Sequence, residues 1–421
     1  MSSAANSFLD AERLDRADVL RGFRGRFYGV DDDVIYLDGN SLGRLPVESL
    51  DRLDDVVRQG WGHGLVRSWE GWIEWPAAVG DLLGSTLLGA AAGQVGISDS
   101  TSVNVYKLAC AALDLHPSRR TLVTDTGNFP SDRYIFEGLA SARGLRLVEL
   151  DADPVHGVSL AEVERVIDSD TALVSLSHVD YRSGALADLE GITAATHQAG
   201  APVLWDLCHS VGAVPIGLDA AGVDFAAGCT YKYLNAGPGA PAFAYVRRDL
   251  QAQTRQPIWG WFGQQAQFDM GPRYHPVEGI ERFLVGTPQV LGIALVEQGV
   301  RLLGEARIER LRTKGIALTS YLIELADEWL VPLGFEVATP REPARRGSHV
   351  SLKHADADRI SVALIEQARV IPDFRRPDLV RLGCSPLTTS FVDVHEAMRR
   401  IRDLVSSERH REIDLGARRV T

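Results

Sequence analysis

Long apolar runs, closely spaced cysteines and an excess of basic residues are all missing from this chain. No uncharged stretch is long enough for a membrane-crossing helix, and the first turns carry Asp10, Glu12 and Arg13 where a leader would hold its apolar segment. Neither a membrane span nor a signal peptide is therefore expected. The four cysteines (Cys110, Cys208, Cys229, Cys384) form no Cys-x-x-Cys pair. That argues against a disulfide framework and a metal site, and it fits a reducing, cytoplasmic compartment. With 44 Lys and Arg against 56 Asp and Glu, the formal net charge is −12, which argues against nucleic acid as a partner. There is no internal repeat and no low-complexity segment. What remains is 421 residues of ordinary globular composition, enough for two to three domains around a large core.

From about 94 to 246 short apolar runs alternate with amphipathic ones. The runs 94–98, 121–125, 145–150, 171–176, 202–206, 223–227 and 242–246 read as strands, and 102–115, 131–143, 159–168 and 188–199 as helices. Such alternation predicts an α/β fold with a mostly parallel seven-stranded sheet, helices on both faces and right-handed crossovers. Before it, 7–24 reads as an amphipathic helix capped by Ser7, and a second helix is expected from Pro46 to Gly60. After it, a helix is expected over 289–330 with a break at Gly304. The strand-like runs Gly347–His354 and Leu379–Leu382 then indicate a smaller α+β domain. The tail beyond 406 mixes charges of both signs and is expected to fray.

Two pieces of this pattern belong together chemically. The strand ending Leu204-Trp205-Asp206 closes on a carboxylate, with His209 just beyond it. The next apolar run ends in Tyr231-Lys232, and the Gly/Pro-rich loop 237–241 follows. Alone, an Asp at a strand end is commonly a helix cap and a Lys in a turn is commonly solvated. Together, at the carboxyl ends of neighbouring parallel strands, they form the pair that pyridoxal phosphate requires: a lysine for its carbonyl and a carboxylate for its pyridinium nitrogen.

Other candidates are weaker by themselves. Thr101 and Ser102 open a helix after a strand, where hydroxyls and free N–H groups can hold a phosphate or simply cap the helix. Phe129, in the turn Asn128-Phe-Pro-Ser-Asp132, could stack on a flat cofactor or serve as core. Arg381, on a strand, could clamp a carboxylate or stand as a solvated edge residue. His63 lies in the aromatic-rich segment Trp61–Trp75, and a lone histidine is more often structural. Trp259, Trp261 and Phe262 fall outside the alternation and could be core or an interface patch.

At these residues the chain resembles the kynureninases, pyridoxal-phosphate enzymes of fold type I in the aspartate aminotransferase superfamily. The resemblance runs from about Tyr36 to about residue 400. It rests on Gly39-Asn-Ser-Leu-Gly43, Phe129-Pro-Ser-Asp132, His178-Val-Asp-Tyr-Arg182, Trp205-Asp-Leu-Cys-His209, Tyr231-Lys-Tyr, Gly260-Trp-Phe-Gly263, Arg346-Gly-Ser-His349 and Arg381-Leu-Gly-Cys-Ser-Pro386. It implies hydrolysis of the Cβ–Cγ bond of L-kynurenine, and of its 3-hydroxy form as alternative substrate, to anthranilate and L-alanine in tryptophan catabolism and NAD biosynthesis.

By resemblance, Lys232 binds the cofactor covalently and moves the Cα proton, Asp206 pairs the ring nitrogen, and His209 contacts the cofactor. Phe129 stacks on the ring, Thr101, Ser102 and Tyr231 hold the phosphate or its surroundings, and Asp132 and Ser177 line the site. Trp261 and Thr287 reach the phosphate from the other subunit of a homodimer. Arg381 takes the α-carboxylate, with His63 and Asn40 as further substrate contacts and Tyr231 as a candidate base for hydrating the ketone. Gly286-Thr287 resembles the pattern that prefers L-kynurenine.

The expected division is 1–60 joining a C-terminal small domain, 61–300 binding the cofactor, and 301–421 forming that small α+β domain. Two rivals stand beside this reading. A cysteine desulfurase-like lyase would use Cys384 as nucleophile, although such enzymes typically stack a His where this chain has Phe129. A non-catalytic, cofactor-binding regulatory protein would need an extension that the chain does not display.

Overall fold

Thirteen strands organise the structure, a computed structural model that describes residues 7–416. In chain order they are β1 (Ile35–Tyr36), β2 (Val95–Ile97), β3 (Thr121–Asp125), β4 (Arg146–Leu150), β5 (Thr171–Ser177), β6 (Val203–Asp206), β7 (Phe225–Gly228) and β8 (Phe243–Val246). The later ones are β9 (Glu336–Val337), β10 (His349–Lys353), β11 (Val370–Ile371), β12 (Asp373–Arg375) and β13 (Leu379–Gly383). Seven of them form one sheet in the order β2-β8-β7-β6-β5-β3-β4. Pairing is parallel from β7 to β4, while β8 runs antiparallel to both of its neighbours. This is the expected mostly parallel seven-stranded sheet.

Every residue of β3, β6, β7 and β8 is buried, as both faces of such a sheet must be. Successive residues feed opposite layers. Val203 and Trp205 pack into one apolar cluster with the helix Val290–Ala306, whereas Leu204 and Phe225 pack into another with the helix Thr101–Leu115. Edge strand β4 is partly exposed and carries Arg146 and Glu149 outward.

A second, antiparallel sheet has the order β12-β13-β10-β9. Its apolar face (Val350, Leu352, Leu382) packs with the helices Ala357–Gln367 and Phe391–Ser406. Ala11, Ile35 and Leu37 join that cluster from the N-terminal end. β1 pairs in parallel with β11.

Several expected boundaries are corrected. The first helix spans only Phe8–Ala17, because Asp18 Oδ1 accepts from the Leu20 N–H at 2.8 Å and turns the chain into a separate 3-10 segment, Arg21–Arg26. The helix Val47–Asp55 does not stop at Gly60. It continues as a wider-turned helix to Gly64, and Gly60 is needed because a Cβ there would meet the Trp72 ring. The long C-terminal helix breaks at Arg307 (φ +67°) rather than at Gly304, which lies inside Val290–Ala306. The tail does not fray at 406. Residues Arg409–Glu412 form a 3-10 turn with His410 and Ile413 buried, while 417–421 fall outside the described residues.

Candidate active site

β6 delivers Asp206 at its carboxyl end, buried to 8% exposure. One carboxylate oxygen accepts from the Cys208 N–H at 2.8 Å, which fixes the turn, and the other lies 3.3 Å from Ser177 Oγ at the end of β5. Asn128 ties the neighbouring turn to this pair. Its Oδ1 sits 2.8 Å from Ser177 Oγ and accepts from the Phe129 N–H at 2.8 Å, while its Nδ2 donates to Thr124 Oγ1 at 3.1 Å. Asn128 lies in a turn that the sequence marks, but sequence reasoning gives it no role there. An Asn opening a helix after a strand was the available signal.

Lys232 follows β7 and is almost fully buried. Its Nζ lies 3.4 Å from both ring nitrogens of His209 and 5.8 Å from the centre of the Phe129 ring. These groups open onto a cavity of about 480 Å³. Thr101, Ser102, Phe129 and Asp132 are among the residues that line it, together with Asp206, His209, Tyr231 and Lys232. Ser100 caps the helix Thr101–Leu115 through its Oγ, so the first free N–H groups of a fifteen-residue helix face this space.

Electrostatics sort the titratable groups. Burial, then the charge of Asp206, holds the Asp132 carboxyl well above the usual carboxylate range. Burial, then the Lys232 ammonium, keeps His209 neutral well below the ordinary histidine value. Burial also pushes the Tyr231 phenol up, so it keeps its proton. The second imidazole of the neighbourhood, His349, stands with its ring centre 5.6 Å from that of His209 and is likewise held neutral by burial.

Arg381 lies outside the cavity lining, 1% exposed on β13. It is held among Asp373, Ser41 and the Tyr181 carbonyl. Asn40 is fully buried, and with its amide oxygen turned to the guanidinium it accepts from Arg381 Nε at 2.8 Å. The structure thus joins Asn40 to Arg381 rather than to the cavity. His63, Trp261 and Thr287 are also apart from the lining: His63 and Thr287 are exposed and Trp261 is 40% exposed. Ser177 borders the cavity only through Asp206. Cys384 is fully buried, outside the cavity lining, and its thiol is pushed up to about 12 by burial, all of which disfavour it as a nucleophile.

The residues present fit pyridoxal phosphate. A buried lysine amine and carboxylate lie beside a helix N-terminus rich in hydroxyls, and an aromatic ring, 38% exposed, turns toward the lysine. Sheet order and site together define a fold-type-I pyridoxal-phosphate enzyme. Solved structures of that fold superpose closely. The apo cysteine desulfurase of Thermococcus onnurineus NA1 matches with a TM-score of 0.81 at 19% identity, covering 92% of this chain and 98% of that one. A lysine-to-alanine mutant of C-DES, with glycine covalently linked to its PLP cofactor, matches with a TM-score of 0.79 at 20% identity, covering 90% and 98%.

Sequence similarity is more specific than this. Residues 311–401 match the kynureninase C-terminal domain. A kynureninase of Pseudomonas fluorescens is 43% identical over 406 residues, 94% of this chain and 95% of its own. One of Burkholderia pseudomallei is 40% identical over 419 residues, 97% and 98%. The chain belongs to the kynureninase family.

Proposed function

We propose that the chain hydrolyses L-kynurenine at Cβ–Cγ to anthranilate and L-alanine, a step of tryptophan catabolism that also feeds NAD biosynthesis. The observation that carries this is the buried pair Lys232 and Asp206 on one cavity, in a chain 43% identical to a kynureninase. Bound pyridoxal phosphate supplies a carbonyl for the substrate amine and a protonated ring that takes up electrons from Cα and Cβ.

This chain's residues supply the rest. Lys232 Nζ removes the Cα proton and returns protons to the carbon skeleton. Asp206 holds the ring-nitrogen proton by its charge, which the buried setting strengthens. The helix N-terminus with Thr101 and Ser102 takes the phosphate, Phe129 covers the ring, and Asp132, Ser177 and His209 complete the setting. Arg381 receives the α-carboxylate. Burial pushes the Tyr231 phenol up, which supports a hydrogen-bond donor there more than the base that hydrates the ketone. Water adds to Cγ, the Cβ–Cγ bond breaks, and Cβ is protonated to give alanine.

The working unit is a homodimer in the cytoplasm. Exposed Trp259 (62%), Trp261 (40%) and Phe268 (65%) support that reading, since such an aromatic surface is covered most readily by a second copy. Trp261 and Thr287 then reach the partner's phosphate, and His63 belongs to the substrate end of the site. The likeness of Gly286-Thr287 to the kynurenine-preferring pattern supports a preference for L-kynurenine over the 3-hydroxy form. No helix among the described residues is long and apolar enough to cross a membrane.

We draw the small α+β unit from the N-terminal residues around Ala11, Ile35 and Leu37 and from the chain beyond about Leu318. Leu20, Phe27, Leu303 and Leu311 instead pack with the large sheet, which supports a boundary inside the helix Ile308–Leu325 rather than at 301.

Purified protein given L-kynurenine should release anthranilate steadily, read by its fluorescence, with alanine in equal amount. Absence of anthranilate from cofactor-loaded, folded protein overturns the proposal.

A further inference from the structure

Asp373 and Arg381 are directly paired residues of β12 and β13, so their side chains leave the sheet on the same face. Each is 1% exposed, and the pair is joined through Asp373 Oδ2 and Arg381 Nη2. Ser41 Oγ bridges them, 2.9 Å from Nη2 and 3.2 Å from Oδ2. Nη1 donates to the Tyr181 carbonyl. With its amide oxygen facing the guanidinium, Asn40 accepts from Nε at 2.8 Å and from Nη2 at 3.1 Å.

A guanidinium has five N–H bonds in a rigid fork. Those of Nε and Nη2 are committed to Asn40, Asp373 and Ser41, and one on Nη1 goes to Tyr181. One Nη1 hydrogen is left without a partner among the described residues.

Asp373 is also used in part only. Arg375 Nη2 approaches its Oδ2 at 2.7 Å, so both arginines and Ser41 converge on one oxygen, while Oδ1 is buried without a partner among the described residues. Asp38, the other carboxyl facing the cluster, is pushed up to about 6 by burial and then by the Asp373 charge. An arginine and a carboxylate that served only each other would close the usual two-bond fork. Here the pair stays single, and the spare guanidinium hydrogen is kept.

We propose that Asp373 is a positioning residue for the substrate: it fixes the plane of the Arg381 guanidinium so that the remaining Nη1 hydrogen meets the α-carboxylate. This rests on the assignment of Arg381 to that carboxylate. Asp373 touches no reacting atom. It makes the enzyme selective for a substrate that carries the carboxylate, and Arg375 keeps Asp373 from following Arg381 when the carboxylate arrives.

The test is steady-state kinetics of cofactor-loaded Asp373→Asn, Asp373→Glu and Arg381→Gln. L-kynurenine is the substrate and its decarboxylated amine the competitive inhibitor. Asp373→Asn should raise KM for L-kynurenine about tenfold or more with kcat within about threefold, and the inhibition constant of the amine should stay within about twofold. Asp373→Glu, which keeps the charge, should recover part of the loss.

A KM within about twofold of the parent, or an equal weakening of the amine, overturns the proposal. If Asp373→Asn fails to fold, Asp373→Glu alone decides: KM raised about threefold with the amine unchanged supports the proposal, and equal effects on both overturn it. Arg381→Gln separates the two levels. Should it leave KM unchanged, the carboxylate assignment itself fails. Should it raise KM while the Asp373 variants do not, only the positioning role fails.

Discussion

Gly43 lies against the backbone of Lys232. Its N–H donates to the Tyr231 carbonyl at 2.8 Å, and a Cβ at position 43 would overlap the Lys232 carbonyl oxygen and the Asn235 side chain. The N-terminal Gly-Asn-Ser-Leu-Gly turn is therefore a backbone support for the lysine. Gly43→Ala should cost activity about tenfold or more, because atoms of the main chain must move, with weakened visible absorbance of the bound cofactor. Gly138→Ala is the matched control. Gly138 is exposed in the helix Pro130–Arg143 with open space around it, and alanine there should stabilise by roughly 0.5–1 kcal/mol and leave turnover alone.

Lys232→Ala should abolish anthranilate production and the visible absorbance of the lysine-bound cofactor. Among the described residues, Lys232 is the lysine that lines the cavity. Borohydride reduction followed by peptide mapping checks this, and a reduced cofactor adduct on another lysine would sink the assignment. Asp206→Asn should keep some cofactor and lose most turnover, since an amide cannot hold the ring proton by charge.

Cys384→Ser should keep anthranilate production. The thiol is fully buried and carbon–carbon hydrolysis needs no sulfur nucleophile. The variant should lose about 1–2 kcal/mol of stability, because a hydroxyl is harder to bury than a thiol. Loss of turnover in folded protein would revive the lyase reading.

Asp125, buried at the end of β3, has its carboxyl pushed up to about 7 by burial and then by Asp180. Between about pH 4 and 7 the folded state binds this proton and the unfolded state has lost it, so the contribution to stability falls as pH rises through that window. Asp125→Asn removes the titration. Its Tm relative to the parent should climb from pH 5 to about 7 and then level off, and a pH-independent difference would contradict the assignment.

Mixing tests the shared site. Subunits carrying Lys232→Ala are combined with subunits carrying a Trp261 substitution severe enough to remove most activity by itself. If Trp261 serves the partner's phosphate, a mixed dimer has one site with both lesions and one with neither, and activity should partly return. Verified subunit exchange without recovery would assign Trp261 to its own chain.

Much of this molecule is determined locally. The alternation from residue 94 to 246 fixes which segments become strands, because a strand buried on both faces must be apolar at nearly every position. Asp206 and Lys232 could be read as a pair for the same reason: in a parallel sheet, residues at the carboxyl ends of adjacent strands must converge.

Helix ends were less legible. At Asp18 and Arg307 the chain turns through a side-chain hydrogen bond and a positive φ that residue type does not announce. The surroundings of Arg381 were legible only in part, through the resemblance that named Asn40 beside it as a substrate contact. Asn40, Ser41, Tyr181 and Asp373 come from separated stretches, and Asp373 stands in no motif. Only the pairing of β12 with β13, and the packing of the residue 39–43 turn against Gly383, bring them within hydrogen-bond reach. A guanidinium buried at 1% exposure must find partners wherever the fold supplies them, and that supply is decided by tertiary structure.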